Sequence, residues 1–135
     1  MNKNLFNSLP PEAQIQIKLV SYIWTQFKKK IVPVHIPNDM ARTSSEGYVK
    51  KRMGMFTGAS DLLIIGKNKN SLFLEVKTES GTLSKEQNTF KSMLENRGHD
   101  FAVGYGLEDC IKIVHKYHDL WEGIEPAPEE SWQPF

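Results

Sequence analysis

The sequence has little of several features that would assign a protein to a particular class. Cys110 is the only cysteine among 135 residues, so no disulfide can form within the chain, and we expect a reducing, cytoplasmic location. No apolar run approaches the roughly 18 residues of a membrane-spanning helix. The N-terminus lacks the basic-then-apolar order of a secretory signal peptide. We therefore expect neither a membrane protein nor a secreted, disulfide-stabilised domain.

Other binding signatures are also missing or incomplete. No internal repeat is visible, and the run Gly104-Tyr105-Gly106 has too few glycines for a dinucleotide-binding turn. His115 and His118 are spaced one helical turn apart, but no third ligand follows them, so we interpret them as a surface pair. His35 stands alone in a predicted strand, which is typical of a hydrogen-bonded structural residue.

The net charge is only +1, which does not by itself suggest a nucleic-acid partner. Residues 121–135 contain four glutamates and no lysine or arginine, so residues 1–120, with 17 basic and 12 acidic residues, carry +5. The basic residues include two clusters, Lys28-Lys29-Lys30 and Lys50-Lys51-Arg52. Such clusters are often solvated helix ends, but beside a phosphodiesterase centre they become reasonable phosphate contacts.

A predicted β-hairpin carries the most informative residues of the chain. Two apolar runs, residues 62–65 and 71–76, flank the polar turn 66–70. If the hairpin is centred on Asn68, Asp61 faces Glu75, and their Cβ atoms are about 4.5–5.5 Å apart. Period-two alternation places Lys77 on the same face as Glu75. The sequence therefore predicts two carboxylates and a lysine at one end of the hairpin.

Carboxylates this close together repel each other unless a cation neutralises them. Mg²⁺, with carboxylate and water ligands, meets that requirement, and Lys77 could orient or help to activate a water. A purely structural interpretation is also open: Asp61 would cap a strand, and Glu75 would pair with Lys77 in solvent. Three charges on strands that look buried on both faces favour the functional interpretation.

Two helices contribute further candidates. A helix beginning near Pro10-Pro11 places Glu12 along the same face as Ile15 and Leu19, where it serves either as a favourable first-turn acid or as a site residue. The run Ser84-Lys85-Glu86-Gln87 has the spacing of a capping box. Gln87 also shares a face with Phe90, which turns its amide inward, towards the end of the hairpin.

Together these residues resemble the VRR-NUC branch of the PD-(D/E)XK nuclease superfamily, in particular its small stand-alone members from phages and bacteria. The resemblance rests on motifs in a specific order between about Glu12 and Val114, with Ser60 where a proline is common. These motifs are Glu12-x-x-Ile15-Gln16, His35-Ile36-Pro37-Asn38, Gly54-x-x-x-Gly58, Asp61, Glu75-Val76-Lys77 and Gly81-x-Leu83-Ser84-x-x-Gln87.

The resemblance implies an α/β fold with a restriction-endonuclease-like core, in which helices flank a central mixed β-sheet. It implies a Mg²⁺- or Mn²⁺-dependent DNA endonuclease, selective for branched DNA such as Holliday junctions and acting as a homodimer. The implied metal ligands are Asp61, Glu75, the Val76 carbonyl and Glu12, and the implied catalytic residues are Asp61, Glu75, Lys77, Gln87 and Glu12. Predicted nucleic-acid contacts are Lys28, Lys29, Lys30, Asn38, Arg42, Lys50, Lys51, Arg52 and Lys85.

Two alternatives to a structure-selective nuclease come from other classes. A catalytically silent nucleic-acid-binding module would keep the fold and the basic surface, but it has no need of clustered acids near phosphates. A sequence-specific restriction enzyme would usually need an additional base-reading domain, for which 135 residues leave little room.

By length the chain is one domain, which we assign to residues 1–120. Residues 121–135 form an acidic, proline-rich tail that also contains two tryptophans and a phenylalanine. Because disordered tails rarely contain such aromatic residues, we expect this tail to pack on its own domain or on a second subunit.

Overall fold

Helices and strands alternate along the chain, for which a computed structural model describes residues 1–38 and 43–128. The predicted order of helix, strand, hairpin, helix, strand and helix is present, with three short helices in addition. The elements are α1 (Lys3–Ser8), α2 (Pro11–Gln26), β1 (Val32–His35), α3 (Ser44–Arg52), β2 (Leu62–Ile65), β3 (Ser71–Lys77), α4 (Lys85–Glu95), β4 (Asp100–Tyr105), α5 (Leu107–Lys116) and a 3₁₀ helix (His118–Trp121).

The β2–β3 hairpin has the register expected from the sequence. Leu63 pairs with Phe73 and Ile65 with Ser71. Asn68 and Lys69 both adopt positive φ, at 50° and 68°. The Asn70 N–H donates to the Lys67 carbonyl and the Gly66 N–H donates to the Asn70 carbonyl, each at 2.9 Å, so Gly66 and Lys67 together oppose Asn70. This bulged turn fixes which residues oppose each other at the far end of the hairpin.

The four strands of the described residues form one mixed sheet in the order β1-β2-β3-β4. β1 and β3 are antiparallel to β2, whereas β4 is parallel to β3. The parallel pair needs a crossover, and α4 supplies it. Pro33 lies in β1, at the edge of the sheet, as its missing N–H donor leads one to expect. The predicted α/β fold with a mixed sheet flanked by helices is confirmed.

The two faces of the sheet have different roles. Even-numbered residues of β2 and β3, such as Leu62 and Leu74, pack into one core with Leu19 and Ile23 of α2 and Val114 of α5. Odd-numbered residues point towards α4, where the ring centroids of Phe73 and Phe90 are 6.0 Å apart. The candidate charged residues of β3 are odd-numbered and therefore lie on the α4 face.

Some sequence-based expectations need correction or lie outside the described residues. His115 is not at the surface with His118: it is half-buried in α5, and its Nε2 lies 2.6 Å from the Tyr22 hydroxyl. A residue on the inner side of an amphipathic helix meets whichever helix packs there, which spacing alone does not reveal. Arg42 and residues 129–135 are not among the described residues.

The first part of the predicted tail packs against the body of the protein. Trp121 is 1% exposed, and its Nε1 donates a hydrogen bond to the Val114 carbonyl at 2.8 Å. Ala127 donates its N–H to the Gln26 carbonyl at 2.8 Å, and the Gln26 amide donates to the Ala127 and Pro128 carbonyls. Trp121 and Ile124 therefore belong to the core built with α2 and α5. None of the helices in the described chain is long and apolar enough to cross a membrane.

We predict that Trp121→Ala destabilises the fold by about 3–5 kcal/mol, because it removes a fully buried aromatic side chain. Urea denaturation measures the change. Leu5→Ala, at a position that is 57% exposed, is the control and should change the unfolding free energy by less than about 0.5 kcal/mol. A Trp121→Ala variant as stable as the Leu5→Ala control would contradict the packing of this segment.

Candidate active site

Asp61 lies at the end of β2, where the hairpin ladder stops. Because Leu62 pairs with Leu74, Asp61 and Glu75 occupy the next opposing positions, as the sequence predicts. Asp61 Oδ2 accepts a hydrogen bond from the Val76 N–H at 2.7 Å. The Asp61 side chain therefore takes the amide that would form the next rung of the ladder, and this bond fixes its carboxylate at the end of the sheet.

The backbone of Asp61 is held by the chain around β1. Its carbonyl accepts the Ile36 N–H at 2.9 Å and lies 3.2 Å from His35 Nδ1. The same His35 nitrogen is 3.0 Å from Gln16 Nε2 on α2, so it can donate to Asp61 or accept from Gln16, depending on its tautomer. His35 therefore has the structural role expected of it. Gln16 is not among the predicted site residues, although it belongs to the motif Glu12-x-x-Ile15-Gln16 and lies one helical turn after Glu12.

Glu75 is the most enclosed of the charged residues on the α4 face. Its side chain is 2% exposed, and Oε1 accepts a hydrogen bond from Gln87 Nε2 at 2.9 Å. Lys77 Nζ lies 4.0 Å from the same oxygen. The other oxygen, Oε2, is buried and has no hydrogen-bond partner among the described residues. A buried carboxylate oxygen without a partner is costly, so this atom is available to a ligand.

The surroundings of Glu75 favour its protonated form. Burial, followed by the neighbouring Asp61 carboxylate, raises the pKa of Glu75 from 4.5 to about 8, although the Lys77 charge acts in the opposite direction. The Glu12 carboxylate contributes a smaller increase to the same pKa. At neutral pH the Asp61 and Glu75 side chains together therefore carry fewer than two negative charges.

Gln87 connects α4 to the site through a capping box. Its Oε1 accepts the Ser84 N–H at 2.8 Å, and its own N–H donates to Ser84 Oγ at 3.1 Å. With Oε1 held by Ser84, Nε2 is turned towards the sheet and reaches Glu75. The Gln87 amide therefore points inward, as the sequence predicts, and its partner there is Glu75.

Two glycines allow loops to approach these residues closely. Gly58 has φ +91°, and a Cβ added there would lie 2.4 Å from the Glu86 carbonyl carbon at the start of α4. A Cβ at Gly81 would lie 3.2 Å from Lys77 Cβ, so this loop covers the aliphatic part of the lysine. Lys77 is only 8% exposed. These two glycines of the recognised motifs are therefore needed for packing around the site.

Oxygen atoms that could hold a cation converge at this point. The Asp61 and Glu75 carboxylates are the main ones. The N–H and C=O of one strand residue point to the same side, so the Val76 carbonyl faces Asp61 as its N–H does. No group of three or more His, Cys, Asp or Glu side chains that could hold a metal occurs in residues 1–38 and 43–128. Glu12 is exposed on α2, beneath the opposite face of the sheet.

The predicted nucleic-acid contacts are distributed unevenly. Lys85 is exposed at the first position of α4, two residues before Gln87. With its amide turned so that both bonds form, Asn38 donates to the Phe56 carbonyl at 3.2 Å and accepts the Gly58 N–H at 3.1 Å. It therefore supports the loop beside the site.

The two basic clusters lie in different parts of the fold. Lys50, Lys51 and Arg52 form the last turn of α3, which leads into the loop that packs on α4. Lys28, Lys29 and Lys30 follow the C-terminal end of α2, whose axis runs about 21 Å from Glu12 to Gln26. The α3 cluster is therefore linked through this loop to the helix that carries Gln87, whereas the other cluster lies beyond the far end of α2.

A mixed sheet with paired carboxylates, a buried lysine and an inward glutamine at one end defines a nuclease-type α/β fold. The VRR-NUC domain model matches residues 12–107, which is most of the chain. The chain belongs to the VRR-NUC family, and the resemblance noted in its sequence is confirmed.

Solved structures support the same fold. One described as a VRR_NUC domain protein superposes with a TM-score of 0.66 at 23% identity, covering 84% of this chain and 92% of that one. Another, described as a VRR_NUC domain, gives a TM-score of 0.56 at 19% identity, covering 81% and 99%. No curated protein matches the chain significantly.

We predict that the stability of the protein without metal depends on pH through Glu75. For an acid whose pKa is raised on folding, the stabilisation is complete below its unfolded pKa and is lost as the pH rises through its folded pKa. In EDTA, the free energy of unfolding should therefore fall between pH 4.5 and about 8, by up to about 1.4 kcal/mol per pH unit.

Glu75→Gln removes the titrating group, so this variant should be more stable than the wild type at pH 8.5, with a difference that shrinks towards pH 5. Urea denaturation at each pH measures both effects. Glu79→Gln, at an exposed position, is the control and should keep the wild-type profile. Parallel profiles for wild type and Glu75→Gln would rule out the raised pKa.

Proposed function

We propose that this protein is a divalent-metal-dependent endonuclease that hydrolyses DNA phosphodiester bonds. Family membership gives a nuclease-type fold, and one observation supports a metal: the buried Glu75 Oε2, beside the Asp61 carboxylate, has no hydrogen-bond partner among the described residues. Carboxylates this close must share either a proton, as the raised pKa of Glu75 indicates, or a cation. A cation between the two carboxylates would remove both the repulsion and the missing contact.

The donor atoms suit Mg²⁺ or Mn²⁺. All of them are oxygens: the Asp61 and Glu75 carboxylates and the Val76 carbonyl. Mg²⁺ usually keeps several waters and is held by one or two carboxylates, so the site needs no third acidic side chain. Glu12 raises the Glu75 pKa through its charge, and we assign it a contact through a metal-bound water.

Each residue then has a separate task. A bound Mg²⁺ or Mn²⁺ would supply an acidified water and polarise the scissile phosphate. Lys77, enclosed by the Gly81 loop, would position the nucleophile and offset the negative charge that develops on the phosphate. Gln87 would hold Glu75 through Oε1, which keeps Oε2 directed towards the metal.

The substrate and assembly follow from the family resemblance and are further parts of the proposal. We propose branched DNA, including four-way junctions, as the substrate, with Lys85 and the α3 cluster contacting phosphates. A two-fold homodimer would present two symmetrically placed sites, which suits paired cuts in a junction.

We predict metal-dependent cleavage that requires Lys77 and Glu75. Labelled four-way junction, flap, single-stranded and duplex DNA are incubated with the protein and Mg²⁺, Mn²⁺ or EDTA. Cleavage should be confined to branched substrates and absent in EDTA. Lys77→Ala should lower the rate by roughly a hundredfold or more, because it removes a buried charge beside the reacting phosphate, and Glu75→Ala should abolish cleavage.

Binding separates the two classes of function in the same experiment. Lys77→Ala should bind the junction as the wild type does, because the change affects the chemical step. Binding without cleavage under every metal would assign the protein to the silent DNA-binding class. Equal cleavage by Lys77→Ala and the wild type would remove Lys77 from the mechanism.

We predict that Lys51→Ala combined with Arg52→Ala weakens binding to all DNA sequences and lowers the salt dependence of binding. For each phosphate contact that is lost, binding releases about one counterion fewer. Titrations at several salt concentrations measure the slope. Lys112→Ala with Lys116→Ala removes the same charge from exposed positions on α5, which packs on the other face of the sheet, and serves as the control. A salt slope unchanged by the α3 substitutions would exclude this cluster from the interface.

A further inference from the structure

None of the residues of helix α3 is buried; the same holds for α4, but α4 packs Phe90 against Phe73 of the sheet. Tyr48 is 67% exposed, Val49 is 52% exposed, and Met53, which caps the helix, is 82% exposed. Adjacent large apolar residues in solvent mark an interaction site more often than isolated ones do. These three side chains are therefore available to a partner.

The chemistry of this helix surface is mixed. Positions 48, 49, 52 and 53 share one side of the helix, at spacings of one, four and five residues, and Lys51 borders it. We call Tyr48, Val49, Lys51, Arg52 and Met53 the α3 face. Lys50 instead pairs with Glu46, at 3.1 Å. The α3 face therefore combines apolar and aromatic groups with two cations that have no ion pair among the described residues.

The α3 face is connected to the candidate site by the loop that follows it. The rings of Phe56 and Phe90 are 5.4 Å apart, and Gly58 packs against Glu86. Phe90 lies three residues after Gln87, whose amide bonds Glu75. A nucleic acid in the site would therefore pass close to α3.

This combination favours nucleic acid with unstacked bases. Phosphates attract lysine and arginine in any DNA, but they offer nothing to an exposed tyrosine, valine or methionine. A base released from its stack can bind these side chains, because aromatic side chains stack on bases without regard to sequence. In duplex DNA the base must first be unstacked, which costs a few kcal/mol, whereas where the single-stranded arm of a flap leaves the branch point it is already exposed.

We propose that the α3 face recognises an unpaired base at a DNA branch point. Tyr48 stacks on the base, Val49 and Met53 pack beside it, and Lys51 and Arg52 contact the adjacent phosphates. The inference rests on the proposed nuclease function and deepens it, since it assigns the preference for branched over duplex DNA to particular side chains.

The test compares binding of a flap and a plain duplex. The flap carries 2-aminopurine at the branch position and the duplex carries it at the same position in the sequence, and EDTA prevents cleavage. Tyr48→Ala should raise the Kd for the flap at least about fivefold and that for the duplex less than about twofold, as expected from the loss of one stacking contact. Met53→Ala should act in the same direction. The change in 2-aminopurine fluorescence on binding should be lost in Tyr48→Ala.

Matched variants separate this role from a general loss of structure. Tyr48→Phe keeps the ring and should retain wild-type binding to the flap. Leu5→Ala removes an exposed apolar side chain on α1 and should leave both substrates unaffected. Since Tyr48 is exposed, Tyr48→Ala should melt at the wild-type temperature.

Two outcomes would overturn the inference. The first is that Tyr48→Ala weakens flap and duplex binding equally, or leaves both unchanged, in a protein that still cleaves DNA when metal is added. Alternatively, Tyr48→Ala could convert a dimer to a monomer in sedimentation, which would assign the α3 face to a protein contact. Failure of the nuclease function itself would look different, because the wild type would then cleave no substrate with any metal.

Discussion

The register of the β2–β3 hairpin is the constraint on which the candidate site depends. It places Asp61 opposite Glu75, and a shift of one residue would move every side chain of a strand to the other face of the sheet. The bulged turn over residues 66–70 sets this register from the opposite end of the hairpin. The chemistry of the site is therefore determined partly by residues that cannot reach it.

Helix α4 combines structural and chemical roles in its first turn. The capping box satisfies N–H groups at the helix start, and the same Gln87 side chain uses its remaining donor on Glu75. The Gly58 loop packs against this turn from outside. Any displacement of the helix start would thus change the geometry of Glu75, which explains why the motif residues around it are small or polar.

The sequence predicts the parts of the site that follow from local periodicity. Counting along the hairpin gives Asp61, Glu75 and Lys77, and the capping-box spacing gives Gln87. The partner of Gln87 and the position of Glu12 depend on how α4 and α2 are placed on opposite faces of the sheet, which no local pattern reports. The burial of Trp121 could not be predicted for the same reason. Its acidic, proline-rich sequence neighbours indicate a tail, whereas its burial depends on how the segment packs on α2 and α5.

The edge strand β1 also limits how the molecule can associate with a copy of itself. Because Ile36 donates its N–H to Asp61, alternation turns the backbone of Val32 and Val34 towards β2 and that of Pro33 outwards. The open side of β1 therefore lacks a donor at its centre, and a neighbouring strand could not continue the hydrogen-bond ladder there. A dimer of this protein would therefore not form by extending the sheet across β1.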